Sequence, residues 1–276
     1  MNDARSLYLD LMKKVLTYYI WGESYQPVEL EDALPVRNSF IRGRLRNYLE
    51  KKNLRLVREF AYDPEKRANG LDWPPLADTM IGLKRLSNLQ MCLESVIAEK
   101  IPGDVIETGV WRGGGSIFMR AVLASYGITD RVVWVADSFA GLPAPDPDKY
   151  PEDAGDMHHT IKILAVSCDQ VRSNFAKYGL LDEQVKFLQG WFKDTLPHAP
   201  IKALAVIRLD GDMYESTMDG LENLYPKLSQ GGYIIIDDYV LQPCRKAVHD
   251  YRNKNGITDD IIDIDGIGAF WKKTAV

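Results

Sequence analysis

The chain has 276 residues, with 34 Lys and Arg against 39 Asp and Glu, a net charge of −5. At 46% hydrophobic and 26% charged residues, it reads as an ordinary globular protein of one large domain, or one with a small appendage. That balance excludes several classes. No apolar run approaches the ~18 residues of a membrane span. The start, Met1-Asn2-Asp3-Ala4-Arg5, lacks the basic-then-apolar order of a secretory leader. Mild acidity argues against a general nucleic-acid binder. Cys92, Cys168 and Cys244 are far apart, without CxxC spacing. They read as reduced thiols of a cytoplasmic protein.

Taken in chain order, residues 6–21 place Leu7, Tyr8, Leu11, Met12, Val15, Leu16, Tyr19 and Ile20 on one face of a helix. A basic stretch follows from Arg37 to Arg67, with ten Lys and Arg against four Asp and Glu. It reads as a solvated helix face, a loop that steers an anionic substrate, or a mobile arm. Gly70 to Pro75 breaks the chain before a helix from Asp78 to about Lys100, which Pro102-Gly103 ends. Beyond Asp104, short apolar runs alternate with helical stretches. Strands are predicted at 104–107, 132–136, 185–188, 204–209, 233–236, 261–262 and 269–271, and helices at 114–126, 164–178, 216–228 and 243–255, with a long loop over 138–160. Buried strands alternating with helices imply a parallel sheet covered on both faces, a doubly wound, Rossmann-like α/β fold. Residues 1–100 form a helical cap and arm, and 101–276 the ligand-binding domain.

In such a sheet, ligands bind at the carboxyl ends of the strands. The loop after the first of them runs from Glu107 through Thr108, Gly109 and Gly113 to Ser116. Its glycines permit a tight turn and close backbone approach, but the GxxxGGG spacing fails the GxGxxG dinucleotide pattern. A carboxylate at Glu107 repels a pyrophosphate and suits an ammonium group. Asp137, after the next strand, stands where an acid takes two ribose hydroxyls. An ammonium at one end and a ribose at the other describe S-adenosylmethionine. Both acids serving only as helix caps is the plainer alternative.

Asp210 and Asp212 close the fourth strand of the series, and Asp237 and Asp238 the fifth. Four carboxylates at one sheet edge repel one another unless a cation sits among them or some stay protonated. Oxygen-only donors select a hard ion such as Mg²⁺.

The motifs Glu107-Thr-Gly-Val-Trp-Arg-Gly-Gly114, Val135-Ala-Asp-Ser-Phe139, Gly190-Trp-Phe-Lys-Asp-Thr-Leu-Pro197, Leu209-Asp-Gly-Asp-Met-Tyr214 and Ile235-Ile-Asp-Asp-Tyr239 occur in order, with Thr79 to Leu86 upstream. Together they resemble the macrocin O-methyltransferase family over about residues 76–273 and the first helix. A weaker likeness to catechol-type O-methyltransferases lies in the paired acid-bearing strand ends. The family resemblance implies an S-adenosylmethionine- and Mg²⁺-dependent enzyme of antibiotic biosynthesis that methylates sugar hydroxyls, as a homodimer or higher oligomer. It implies that Glu107 and Gly109 hold the methionine end, Asp137 and Ser138 the ribose, and Trp191 the adenine, while Thr79 and Met80 close over the cofactor. Thr108, Gly113 and Ser116 complete that cofactor set. Asp210, Asp237 and Asp238 become the metal ligands, leaving Asp212 as general base. Residues 25–72 are longer and more basic than the family pattern, and the loop over 141–163 is distinct.

Metal coordination lowers the pKa of an acceptor alcohol, and an adjacent carboxylate takes its proton. His158 and His159 are a second candidate base or an acceptor contact. Lys193 and Arg208 read as ion-pair partners. Trp21, Tyr25 and Trp73 read as core or as acceptor-pocket aromatics. Two rival functions stay open. Asp210-Gly-Asp212 resembles the DxD of metal-dependent glycosyltransferases, although Glu107 disfavours a diphosphate and the Asp237-Asp238 pair is then unexplained. The other rival is a non-catalytic nucleoside-binding or scaffold protein. The acceptor is open among glycosylated polyketides, aminocoumarin-type sugars, lipopolysaccharide sugars and peptide-derived hydroxyls.

Overall fold

The computed structural model describes residues 3–22, 24–28, 30–33, 39–60 and 62–274; Arg37, which opens the basic stretch, lies outside them. Helix α1 (Ala4–Leu16) is capped by Asp3, whose carboxylate accepts from the Ser6 amide at 2.8 Å. It ends before the predicted Trp21 because Tyr18 adopts a left-handed backbone with φ 59°. The basic stretch folds into ordered pieces. Strand β1 (Ser24–Pro27) and helix α2 (Leu30–Ala33) precede helix α3 (Ser39–Lys51). Strand β2 (Val57–Phe60), which pairs antiparallel with β1, and helix α4 (Pro64–Asn69) follow. Helix α5 (Leu83–Ala98) starts five residues after Asp78. Gly82 begins it in extended conformation, so residues 78–81 form a loop.

The alternating half follows the predicted order of elements, with one short helix, α8, that was not predicted. It comprises β3 (Asp104–Thr108), α6 (Gly114–Ser125), β4 (Val133–Asp137), α7 (Cys168–Lys177), β5 (Val185–Gln189) and α8 (Phe192–Thr195). It continues through β6 (Leu204–Leu209), α9 (Tyr214–Leu224), β7 (Leu228–Ile236), α10 (Gln242–Lys254), β8 (Ile262–Asp263) and β9 (Ala269–Lys272). Boundaries differ where turn chemistry intervenes. Lys162–Leu164 is a 3₁₀ turn, so α7 begins only after Ser167, whose hydroxyl accepts from the Gln170 amide. Pro226 lies in a 3₁₀ turn over Tyr225–Lys227, which stops α9 at Leu224.

Among the described residues, seven strands form one sheet in the order β5-β4-β3-β6-β7-β9-β8. The five strands from β5 to β7 run parallel, and β9 returns antiparallel against β7 and β8. Successive strands move outward from β3 to β5 on one side and from β6 to β7 on the other. The strand order therefore reverses between β3 and β6, which opens a crevice at their carboxyl ends. Alternate strand residues feed two cores. Val105, Val133 and Val135 pack with α1, α5, α6 and α7, whereas Ile106, Trp134, Ile207 and Ile234 pack with α9 and α10. The three cysteines are free and buried. No helix of the described residues is long and apolar enough to cross a membrane.

Candidate active site

The crevice is shaped by backbone turns that only some residues accept. Gly109 follows β3 with φ 77°, and a Cβ there would lie 1.7 Å from the Asp210 carbonyl. Glycine thus lets the β3 loop sit directly against the end of β6. Three further turns at this edge use left-handed non-glycine residues: Trp111 after β3, Phe139 after β4 and Asp212 after β6. Such backbones cost of order 1–3 kcal/mol each and cluster at functional sites.

A buried arginine organises the charges. Arg208, on the all-buried strand β6, is 2% exposed. Its guanidinium lies 2.6 Å from Glu107, 3.0 Å from Asp210 and 2.6 Å from Asp237. Arg85 of α5 approaches the other Asp237 oxygen at 2.6 Å and Asp265 at 3.1 Å. Glu107 also accepts from the Ser116 hydroxyl. Its charge is therefore met from within the protein, a constraint that the repulsion argument for Glu107 alone did not contain. Burial pushes the Glu107 carboxyl up to about 7 even so, against the pull of Arg208 and Ser116. Arg208 is the ion-pair partner its position predicts.

The four aspartates do meet. Asp210, Asp237 and Asp238 each offer an oxygen within 4.8 Å of the others. The Asp212 amide donates to Asp238 at 3.2 Å, and Asp212 lines the same cleft. Withdrawal from solvent, reinforced by Asp237, raises Asp210 to about 6. Burial and Asp210 push Asp212 to about 7, opposed by His158. Asp238 is raised well above the usual range by burial and by Asp212, Asp210 and Asp237. Burial acts upward on Asp237 too, but Arg208 and Arg85 outweigh it and hold that carboxyl below its ordinary value. A set of oxygen donors that raise one another's pKa is chemically suited to a hard divalent cation.

Toward β4, Asp137 accepts from the amides of Val110 and Phe139, each at 2.7 Å. The Ser138 hydroxyl donates to Gly141 O at 2.6 Å. The Gly190 amide donates to Asp137 O at 2.9 Å, which sets Trp191 beside that turn. Thr79, Met80, Glu107, Gly109, Asp137, Ser138 and Trp191 share one cavity of about 370 Å³ with the four aspartates. Thr108, Gly113 and Ser116 are not on its wall. Thr108 accepts the Asp210 amide through its carbonyl, Gly113 caps α6, and Ser116 stands behind Glu107. Trp73 and His158 line the cavity, whereas Trp21 and Tyr25 are exposed away from it.

Sequence reading passed over several positions that build the site. Arg85 lies on the same buried face of α5 as Leu86, Leu89, Cys92, Leu93 and Val96. A cation on an apolar stripe signals a buried partner, and that signal was present. Asp153 anchors the loop over 141–163 by accepting the amides of Tyr214 and Glu215 at 2.7 and 3.0 Å. Its place under α9 has no sequence signature. The Asp156 carboxylate accepts from His158 Nδ1 at 2.6 Å, so that imidazole is oriented at the cavity, while His159 is exposed.

Comparison with known proteins identifies the family. A protein of Streptomyces olivaceus, the 8-demethyl-8-(2,3-dimethoxy-alpha-L-rhamnosyl)-tetracenomycin-C 4'-O-methyltransferase, is 54% identical over 275 residues, covering 99% of this chain and 95% of that protein. The demethyldecarbamoylnovobiocin O-methyltransferase of Streptomyces niveus is 49% identical over 278 residues, covering 99% and 95%. The solved structure of the O-methyltransferase NovP superposes with a TM-score of 0.83 at 48% identity, over 98% of this chain and 100% of that one. The family model described as Macrocin-O-methyltransferase (TylF) matches residues 5–273. The matched region runs from α1 through β9, and the chain is a member of the macrocin-O-methyltransferase (TylF) family.

Proposed function

We infer that this O-methyltransferase moves the methyl group of S-adenosylmethionine to a sugar hydroxyl of a glycosylated natural product, in a metal-dependent reaction. The observation that carries this reading is the joint wall of one cavity. Acids suited to a divalent ion line it together with a loop and a β4 acid suited to an aminoacyl nucleoside. The two named relatives act on a rhamnosyl tetracenomycin and on a demethyldecarbamoylnovobiocin, which supports a glycosylated acceptor.

Glu107 and Gly109 would hold the methionine end of the donor, Asp137 and Ser138 its ribose, and Trp191 its adenine, with Thr79 and Met80 over it. Asp210, Asp237 and Asp238 would hold Mg²⁺. The donor's sulfonium supplies an electrophilic methyl, and a bound divalent ion supplies the charge that makes an alcohol more acidic and fixes its direction. Within the protein, Arg208 joins the two halves, since one guanidinium pairs both with Glu107 and with Asp210 and Asp237. Its position keeps the donor end and the acid cluster at a fixed spacing, and alignment of reactants is a large part of catalysis in a displacement. Asp212 takes the proton from the acceptor hydroxyl. A carboxylate that faces the same cleft is a suitable acceptor for that proton. The arm and cap of residues 1–100 would carry acceptor and oligomer contacts, with Trp73 at the mouth of the cavity.

The test is incubation with labelled S-adenosylmethionine, Mg²⁺ and the acceptors of the two named relatives, with and without excess chelator. Label in the sugar, lost on chelation, is the expected result. Full transfer in chelator would refute the metal dependence. Binding of a nucleoside diphosphate in place of S-adenosylhomocysteine in a thermal-shift assay would refute the donor.

A further inference from the structure

We propose that Arg67 is a positioning residue of the donor site, which holds the Thr79–Ile81 loop in place from the basic arm; this rests on the donor reading above. Arg67 sits on α4 and is 1% exposed, although it closes the stretch read from sequence as a solvated face, a steering loop or a mobile arm. Its guanidinium donates to Met80 O at 2.5 Å and to Ile81 O at 3.1 Å, and stands 3.1 Å from Asp72. Thr79, Met80 and Ile81 all line the cavity. One arm of the planar guanidinium, Nη2, donates to both successive carbonyls while the other, Nη1, faces Asp72, so the rigid group fixes the course of the backbone there against α4. A buried guanidinium is costly unless paired, so α4 and the loop hold each other.

Two further contacts make the junction rigid. A Cβ on Gly82 would lie 2.4 Å from Ala68 O and 2.5 Å from the Gly70 nitrogen, so the end of α4 and the start of α5 touch backbone to backbone. Arg85, which pairs with Asp237 at 2.6 Å, also donates to Gly70 O at 3.3 Å. The arm is thus tied to the donor loop through Arg67 and to the acid cluster through Arg85.

Calorimetric titration of S-adenosylhomocysteine into the full-length protein tests the assignment, with ligand-free melting temperatures recorded in parallel. Arg67→Met is expected to weaken binding about tenfold, the loss of a hydrogen bond to a charged group. Arg67→Lys should fall between that variant and wild type, and Asp72→Asn should weaken binding by about two- to threefold. Arg55→Met, a change in the exposed turn after α3, should bind as wild type does. A purely structural Arg67 would lower the melting temperature while the folded variant bound S-adenosylhomocysteine within about twofold of wild type, and that result overturns the proposal. If Arg67→Met does not fold, Arg67→Lys and Asp72→Asn decide by the same criterion. Failure of the wild-type protein to bind S-adenosylhomocysteine would refute the donor reading itself, and this inference with it.

Discussion

In α3, Arg44 stands exposed beside the exposed rings of Phe40 and Tyr48; at the carboxyl edge of the sheet, Arg208 and Arg85 are buried among acids. The same side chain thus serves two physical purposes in one molecule. On α3 it contributes solvated charge, worth little to the fold. In the crevice it permits Glu107 and Asp237 to be withdrawn from water together, beside a half-buried Asp210. The density of arginine along the chain does not distinguish these cases. The distinction lies in which arginines have acids within about 3 Å, and the topology of the sheet decides that.

The sharpest way to break this contrast is Arg208→Met. Removing one partner of a buried ion network costs about 3–5 kcal/mol, so urea denaturation should show a loss of that size. A loss below about 1 kcal/mol would mean the acids do not depend on Arg208. Next in size is Asp212→Asn, which keeps the volume and removes the carboxylate. Turnover should fall by about 10²–10⁴ while S-adenosylhomocysteine affinity in the same preparation stays near wild type. Retention of most of the rate would place the base elsewhere, with His158 the first candidate.

A smaller effect separates the crevice from the arm by pH. Glu107 and Asp212 are raised to about 7 and Asp210 to about 6, above the usual carboxylate value of about 4. Between these limits the native protein holds protons that the unfolded chain has released. The associated stability is complete below about pH 4 and is lost as pH rises through about 6–7. In chelator, the melting temperature should therefore fall by about 2–4 °C from pH 6 to pH 8. Mg²⁺ should restore most of it at pH 8 by binding the native state. A melting temperature that rises over this interval in chelator would contradict the burial of these acids. The smallest effect is that of Arg44→Met on α3, expected within about 0.5 kcal/mol of wild type by denaturation.

Much of the fold was readable because strand burial writes itself into the chain as short apolar runs. Leu204–Leu209 and Val133–Asp137 could hardly be anything but central strands, and the acids that follow them inherit the carboxyl edge. That the strands bearing Asp210 and Asp237 are neighbours was readable, whereas the adjacency of Glu107 to Arg208 and Asp210 appears only in the strand order of the sheet. What escaped reading was long-range pairing without periodicity. The β1–β2 ribbon lies in polar sequence, with no alternation to announce it. Arg67 looked like one more surface cation because its partners are carbonyl oxygens thirteen and fourteen residues away, which carry no sequence identity. Loop boundaries near Gly82 and Ser167 moved because capping and close approach, rather than propensity, decided them.

The φ of 56° at Asp212 has an evolutionary and practical corollary. Glycine adopts that backbone freely, whereas an L-residue with a side chain does so at a cost of roughly 1–2 kcal/mol. On the role proposed for Asp212, Asp212→Gly would relieve that cost and remove the proton acceptor in one step. Durability and turnover pull in opposite directions at this position, so a library screened for thermal endurance alone would drift toward inert enzyme here. Any effort to harden this protein has to leave position 212 out of the search.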